Sequence, residues 1–408
     1  MVDQTLDARR AAFPALRRVH NGHPVAYFDG PGGTQVPTVV AAAVSDYLLH
    51  HNANTDWEYP TSIETDAMIA ASRSAFADLL NARSVEEIAF GNNMTTLTFH
   101  LARALGRGWG PEDEVVVTEL DHQANVAPWT AIARERGITV RTARFDPDSG
   151  ALDLDDLARA IGPRTRLVAV GAASNALGTV NDVPRIVALA HSAGALAFVD
   201  AVHYAPHAPT DVRAWNCDFL ACSAYKMYGP HVGVLYGRHA LLAELDAPKL
   251  APAPDTPPDR LETGTLNHEG IAGARAAVDF LASLSPPAHT RRARLVSSMT
   301  MLHAEGHALV TRLWTGLSAI PAVRLFGPPP DRPRTSTLSF TVRGMTADDV
   351  ATRLAQQAIY ASHGDFYASA AVARLPVGPD GVIRLGCACY TTVSETDRVV
   401  AAIAALAD

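Results

Sequence analysis

The sequence predicts an α/β fold: a large domain built on a helix-flanked, mainly parallel sheet, then a smaller C-terminal α+β domain. Three observations carry this. Residues 114–118 (EVVVT), 166–171 (RLVAVG), 195–200 (ALAFVD) and 218–222 (DFLAC) are short apolar runs separated by Ala/Arg/Leu-rich helical stretches. These runs lack polar alternation, as strands do when helices cover both faces of a sheet. After LSPPAH (284–289) the pattern changes to a long helical segment, TSTLSFTV, a helix, VIRLGCACY and a final helix. The boundaries read as an N-terminal segment 1–29 packing with the small domain, a large domain 30–280 and a small domain 281–408.

Composition narrows the function. A chain of 408 residues, 19% charged and 48% hydrophobic, is long and apolar enough for one large domain with a companion. A net charge of −8 without a Lys/Arg block argues against nucleic acid or an anionic membrane and for a small-molecule partner. The charged start MVDQTLDARRAAF lacks a secretory apolar stretch, and no run approaches the ~18 apolar residues of a membrane helix, so a cytoplasmic location is expected. Cys217, Cys222, Cys387 and Cys389 are oddly spaced for disulfides or a zinc site and read as small buried hydrophobes. No metal site is expected.

The chemistry starts at ALAFVDAVHYAP, where an apolar strand runs into Asp200 and then His203. Ligands of open α/β sheets bind beyond the carboxyl ends of the strands. Taken alone, Asp200 reads as a helix N-cap. A second strand, DFLACSAYKMYGP, delivers Ser223, Tyr225 and Lys226 to the same edge. A lysine just past a buried strand is costly to desolvate, loses its proton more easily, and becomes a nucleophile able to form a Schiff base with an aldehyde. Ser223-x-x-Lys226 also fits a Ser-Lys acyl-transfer site, but the SDN and KTG triads that complete one are missing from the chain. His303 and His307 stand at i and i+4 without forming HExxH, and GPGGTQ (30–35) has neither the GxGxxG spacing nor a Walker lysine.

The ordered motifs TELDHQANVAPW, SNALGTVNDV, VDAVHYAP, CSAYKMYGP and ETGTLN resemble those of class V aminotransferases, in particular the cysteine-desulfurase-like (SufS-type) branch. The resemblance runs from YFDGPGGTQVP to the last helix. It implies the fold type I architecture of enzymes dependent on pyridoxal 5'-phosphate (PLP), with a seven-stranded-type sheet, and a homodimer acting on an amino acid. Lys226 then matches the Schiff-base lysine, Asp200 the partner of the pyridine nitrogen, and His122 the imidazole stacked on the ring. His203 and Asn175 match residues near the phenolic oxygen, Asn175 also beside the substrate carboxylate. Thr95, Thr96 and Ser223 match the phosphate site, with Thr265 reaching the phosphate of the neighbouring subunit. Arg384 matches the arginine that grips the substrate carboxylate. Gly32 and Gly33 match the turn under the substrate, and Asn52 and Asn54 a segment bordering the pocket.

The departures redirect the expected reaction. Where desulfurases carry a nucleophilic Cys, this chain has Tyr367 in ASHGDFYASA, and no cysteine occurs between Cys222 and Cys387. Tyr225 replaces the His that precedes the lysine in SufS-type enzymes, and WEY (57–59) adds bulk beside the Asn segment. The expectation is therefore a C–S β-lyase that releases thiol, ammonia and a 2-oxo acid from a cysteine S-conjugate. Transamination, epimerisation and decarboxylation-coupled oxidative deamination are the alternative fates of the same substrate.

Overall fold

The computed structural model describes residues 6–286 and 288–407, so the first five residues of segment 1–29, Pro287 and Asp408 lie outside the description. The central sheet has seven strands: β1 (Ile88–Gly91), β2 (Glu114–Thr118), β3 (Thr139–Ala143), β4 (Thr165–Gly171), β5 (Leu196–Asp200), β6 (Phe219–Ser223) and β7 (Gly233–Gly237). Their spatial order is β1-β7-β6-β5-β4-β2-β3. Neighbours pair in parallel except β7, which runs antiparallel to both β1 and β6.

Successive side chains of a strand point to opposite faces, and the apolar runs fill both. Val116, Val168, Val170, Val199 and Leu220 join one buried cluster, while Val115, Val117, Leu167, Phe198 and Phe219 join a second on the other face. Trp129 packs edge-on against Phe198, with ring centroids 5.4 Å apart. Removing such a fully buried indole costs about 3–5 kcal/mol. Burial on both faces is lost at β3 (TVRTA), which has one neighbour and is mostly exposed.

A second sheet of four antiparallel strands follows the long helix Arg291–Ser318: β8 (Val323–Phe326), β9 (Thr337–Val342), β10 (Ser362–Gly364) and β11 (Val382–Gly386), in the order β8-β9-β11-β10. Phe28, Leu338, Phe340, Ile383 and Leu385 form its own core with Val399 and Ile403 of the final helix, Val393–Ala407. Near the N-terminus, Ala26–Tyr27 pairs in parallel with Ile359–Tyr360, and Asp29 bridges to Gly386. This carries the turn of Gly32 and Gly33 to the seam between the two sheets.

Candidate active site

Four parallel strands end on one edge of the large sheet and deliver the functional side chains there. β2 leads to Asp121 and His122, β4 to Asn175, β5 to Asp200 and His203, and β6 to Ser223 and Lys226. With Thr95 and Tyr225 these residues line an inner cavity of about 60 Å³. It adjoins a cleft of about 820 Å³, into which the small sheet brings His363, Asp365, Phe366, Tyr367 and Arg384. The cleft is within the range of small-molecule sites, ~300–1,000 Å³.

Asp200 and Lys226 are both buried. Burial pushes the Asp200 carboxyl up to about 6, against the pull of the Val202 N–H, which donates to Oδ1 at 2.8 Å, and of the Lys226 charge. Lys226 is pushed down to about 8, first by burial and then by the Arg384 guanidinium, with Asp200 and Asp29 opposing. Two opposite charges thus share one desolvated edge, and each is easier to neutralise than in water. His122 is held neutral: burial, then Lys226 and Arg384, lower it to about 4, and its Nδ1 accepts the Ala124 N–H at 2.9 Å.

Below this layer lies an acid that the sequence reading did not single out. Asp121 is fully enclosed; it accepts the Gly171 N–H at 2.5 Å and the Thr118 hydroxyl at 2.9 Å, and burial pushes it up to about 7. Its position next to His122 in TELDHQAN was the available signal.

Two buried atoms facing the cavity lack partners among the described residues: Asn175 Oδ1 and His203 Nδ1. The other ends of these side chains are fixed. Asn175 Nδ2 donates to the Phe366 carbonyl at 2.9 Å, and His203 Nε2 lies 3.2 Å from Thr335 Oγ1. Buried polar atoms are rarely left unpaired without a ligand or water to meet them. Above Thr95, the helix Met94–Gly106 presents its N-terminus, where the Met94 N–H donates to Ser223 Oγ at 3.1 Å. Backbone approach is tight here: a Cβ on Gly233 would stand 2.4 Å from the Asn93 carbonyl carbon. Helix N-termini favour anions.

Arg384 is buried on β11 and makes three hydrogen bonds: Nη1 to the Asn175 carbonyl at 3.0 Å, Nη2 to Asp29 Oδ1 at 3.2 Å and Nε to Ser362 Oγ at 3.2 Å. Its guanidinium lies 3.9 Å from the Phe366 ring centroid. Asp29, half-exposed at the mouth, is the second residue that the sequence reading passed over. Gly33 packs against Tyr225, whose ring stacks on His231 at 5.0 Å.

The remaining candidates sit elsewhere. Thr96 turns away from Lys226; its hydroxyl donates to the Asn93 carbonyl at 3.0 Å, and it lines a separate cavity with Thr265. Asn54 borders another surface cleft that also includes Thr265, Asn52 is exposed, and Trp57 is exposed away from Lys226. Neither Thr265 nor Asn54 reaches the Lys226 cavity within one subunit.

A strand-edge acid, a buried lysine, unpaired polar atoms and a helix N-terminus at one sheet edge form a site in an α/β protein that fits a phosphorylated cofactor. The chain belongs to the class-V aminotransferase family, whose profile matches residues 26–399. A cysteine desulfurase of Dickeya dadantii is 32% identical over 414 residues, covering 98% of this chain and 96% of the relative. Among solved structures, the S-sulfonic acid form of a cysteine desulfurase from Escherichia coli superposes with a TM-score of 0.84 at 29% identity, covering 98% of this chain and 97% of that one. The apo cysteine desulfurase of Thermococcus onnurineus NA1 gives 0.86 at 27% identity, covering 97% and 98%. Enzymes of this family use PLP, and the partnerless Asn175 and His203 atoms, the Asp200–Lys226 pair and the helix end supply the donors and acceptors such a group requires.

Proposed function

We propose that this enzyme is a PLP-dependent C–S β-lyase acting on a cysteine S-conjugate. The observation that carries the reading is where its thiols are. All four cysteines are buried, burial pushes each thiol up to about 12, and none lines the cleft. By the family resemblance Tyr367 takes the place of the sulfur-accepting Cys, and it lines the cleft. Sulfur released from substrate therefore has no protein acceptor and leaves as a thiol.

Lys226 would hold the cofactor, Asp200 its ring nitrogen, His122 the ring face, Asn175 and His203 its phenolic oxygen, and Thr95, Ser223 and the Met94 helix end its phosphate. When bound, PLP supplies an electron sink for the pair released when a bond to Cα breaks. Burial keeps part of the Lys226 amine neutral near pH 8, fit to take the Cα proton. Arg384 receives the substrate carboxylate in exchange for its hold on Asp29, a task suited to a planar guanidinium. The balance is cysteine S-conjugate plus water giving thiol, ammonia and a 2-oxo acid. A homodimer belongs to this reading, because Thr265 and Asn54 can serve a Lys226 site only across a subunit boundary.

The test is an anaerobic assay of PLP-loaded protein with S-substituted cysteines. Stoichiometric thiol, ammonia and 2-oxo acid are expected. Intact substrate without thiol, or products that need oxygen or an amino acceptor, contradict the reading.

A further inference from the structure

Tyr367 is 72% exposed, the largest such value among the exposed large hydrophobic side chains beside Leu49, yet its backbone is closely held. Its carbonyl accepts the Gln123 N–H at 2.7 Å, its own N–H donates to Asp365 Oδ1 at 3.0 Å, and the preceding carbonyl, of Phe366, accepts from Asn175. Phe366 and Tyr367 have φ of +55° and +56°, a left-handed conformation unfavourable for bulky residues that persists only where surroundings enforce it. The small domain thus latches two consecutive strained aromatic residues down onto His122's own turn. The Phe366 ring caps Arg384, and the Tyr367 ring stands 5.6 Å from His122 across the cleft mouth.

We propose that the segment 365–368 is the specificity element of this enzyme, and that it selects substrates whose sulfur carries a flat apolar group lying against the Tyr367 ring. This rests on the C–S lyase reading. With the carboxylate on Arg384 and the amino group at Lys226, the sulfur substituent has the rest of the same cleft to occupy, and the Tyr367 ring is part of its wall. Bare cysteine would leave most of the cleft unfilled. An anionic substituent would meet the Asp365 carboxylate beside the ring. An aromatic substituent instead gains a ring–ring contact on a loop whose backbone is already held, so little backbone ordering opposes binding.

The experiment measures Kd by calorimetry for S-benzylcysteine and S-methylcysteine on PLP-loaded Lys226→Ala protein, with and without Tyr367→Ala or Tyr367→Phe. The benzyl conjugate is expected to bind about tenfold more tightly than the methyl one, as an aromatic contact allows. Tyr367→Ala should remove most of that ratio and Tyr367→Phe should keep it. A ratio unchanged by Tyr367→Ala, or lost equally in Tyr367→Phe, overturns the specificity assignment. Thiol release by the Lys226 enzyme is read separately: selective binding without thiol release sinks the lyase reading and leaves the specificity element standing.

Discussion

The floor and the mouth of the cleft are built differently. The floor is the carboxyl edge of a parallel sheet, where Asp200, Lys226 and Asp121 are enclosed and their proton affinities are displaced mainly by burial. The mouth is a short connection off the small antiparallel sheet, where the Tyr367 side chain is exposed and its carbonyl is held by the Gln123 N–H. Sheet edges fix charged groups where water is excluded, which acid–base work needs; a loop can change its side chains without disturbing that floor. On the proposed reading, reaction and selectivity are separated in space: the floor acts at Cα and the mouth selects the substrate.

The largest effect should come from the floor. Lys226→Ala removes both the covalent anchor and the base, and kcat should fall by about 10³-fold or more, the usual weight of a general base and above. Next, Asp200→Ala should lower kcat by about 10²-fold, the scale of a lost charge that stabilises the transition state, whatever the side chain of the substrate. Activity that survives either change at half the original level would break the assignment of the floor. At the boundary between floor and mouth, Arg384→Ala should raise KM by about 10- to 100-fold, the value of a charged hydrogen-bond pair, with a smaller effect on kcat. A drop in kcat alone would move Arg384 out of carboxylate binding.

The smallest effect is thermodynamic. Asp121 has a folded-state value near 7 against an ordinary 3.8, so the folded protein holds a proton that the unfolded chain releases. Its contribution to stability is fully present below about pH 4 and is lost as pH rises through 7. Melting scans of PLP-free protein should show wild type losing a few degrees relative to Asp121→Asn between pH 5 and pH 8. Parallel pH profiles for the two proteins would show that Asp121 is not a protonated acid.

How much of this was legible depends on how local the cause is. The strands at 114–118, 166–171, 195–200 and 218–222 emerged almost as read, because burial on both faces leaves an unbroken apolar run. β3 did not, because an edge strand with one covered flank reads as mixed sequence. Asp200 and Lys226 stand out in the sequence because one closes its apolar strand and the other lies three residues past the end of the next. Thr95 and Thr96 could not be separated in sequence: neighbours on a helix point about 100° apart, so only one faces the cavity. The pairing of Asp29 with Arg384 joins residues 355 positions apart and has no local signature. The enclosure of Asp121 has no local signature either, since it comes from Gly171 and Thr118 on neighbouring strands.

Lys226 as the PLP lysine is open to a borohydride experiment. Purified protein loaded with PLP should be yellow, bleach on reduction, and yield one pyridoxyl-labelled peptide with the label on Lys226. A protein that stays colourless in excess PLP, or a label on any other lysine, would rule out Lys226 as the anchor.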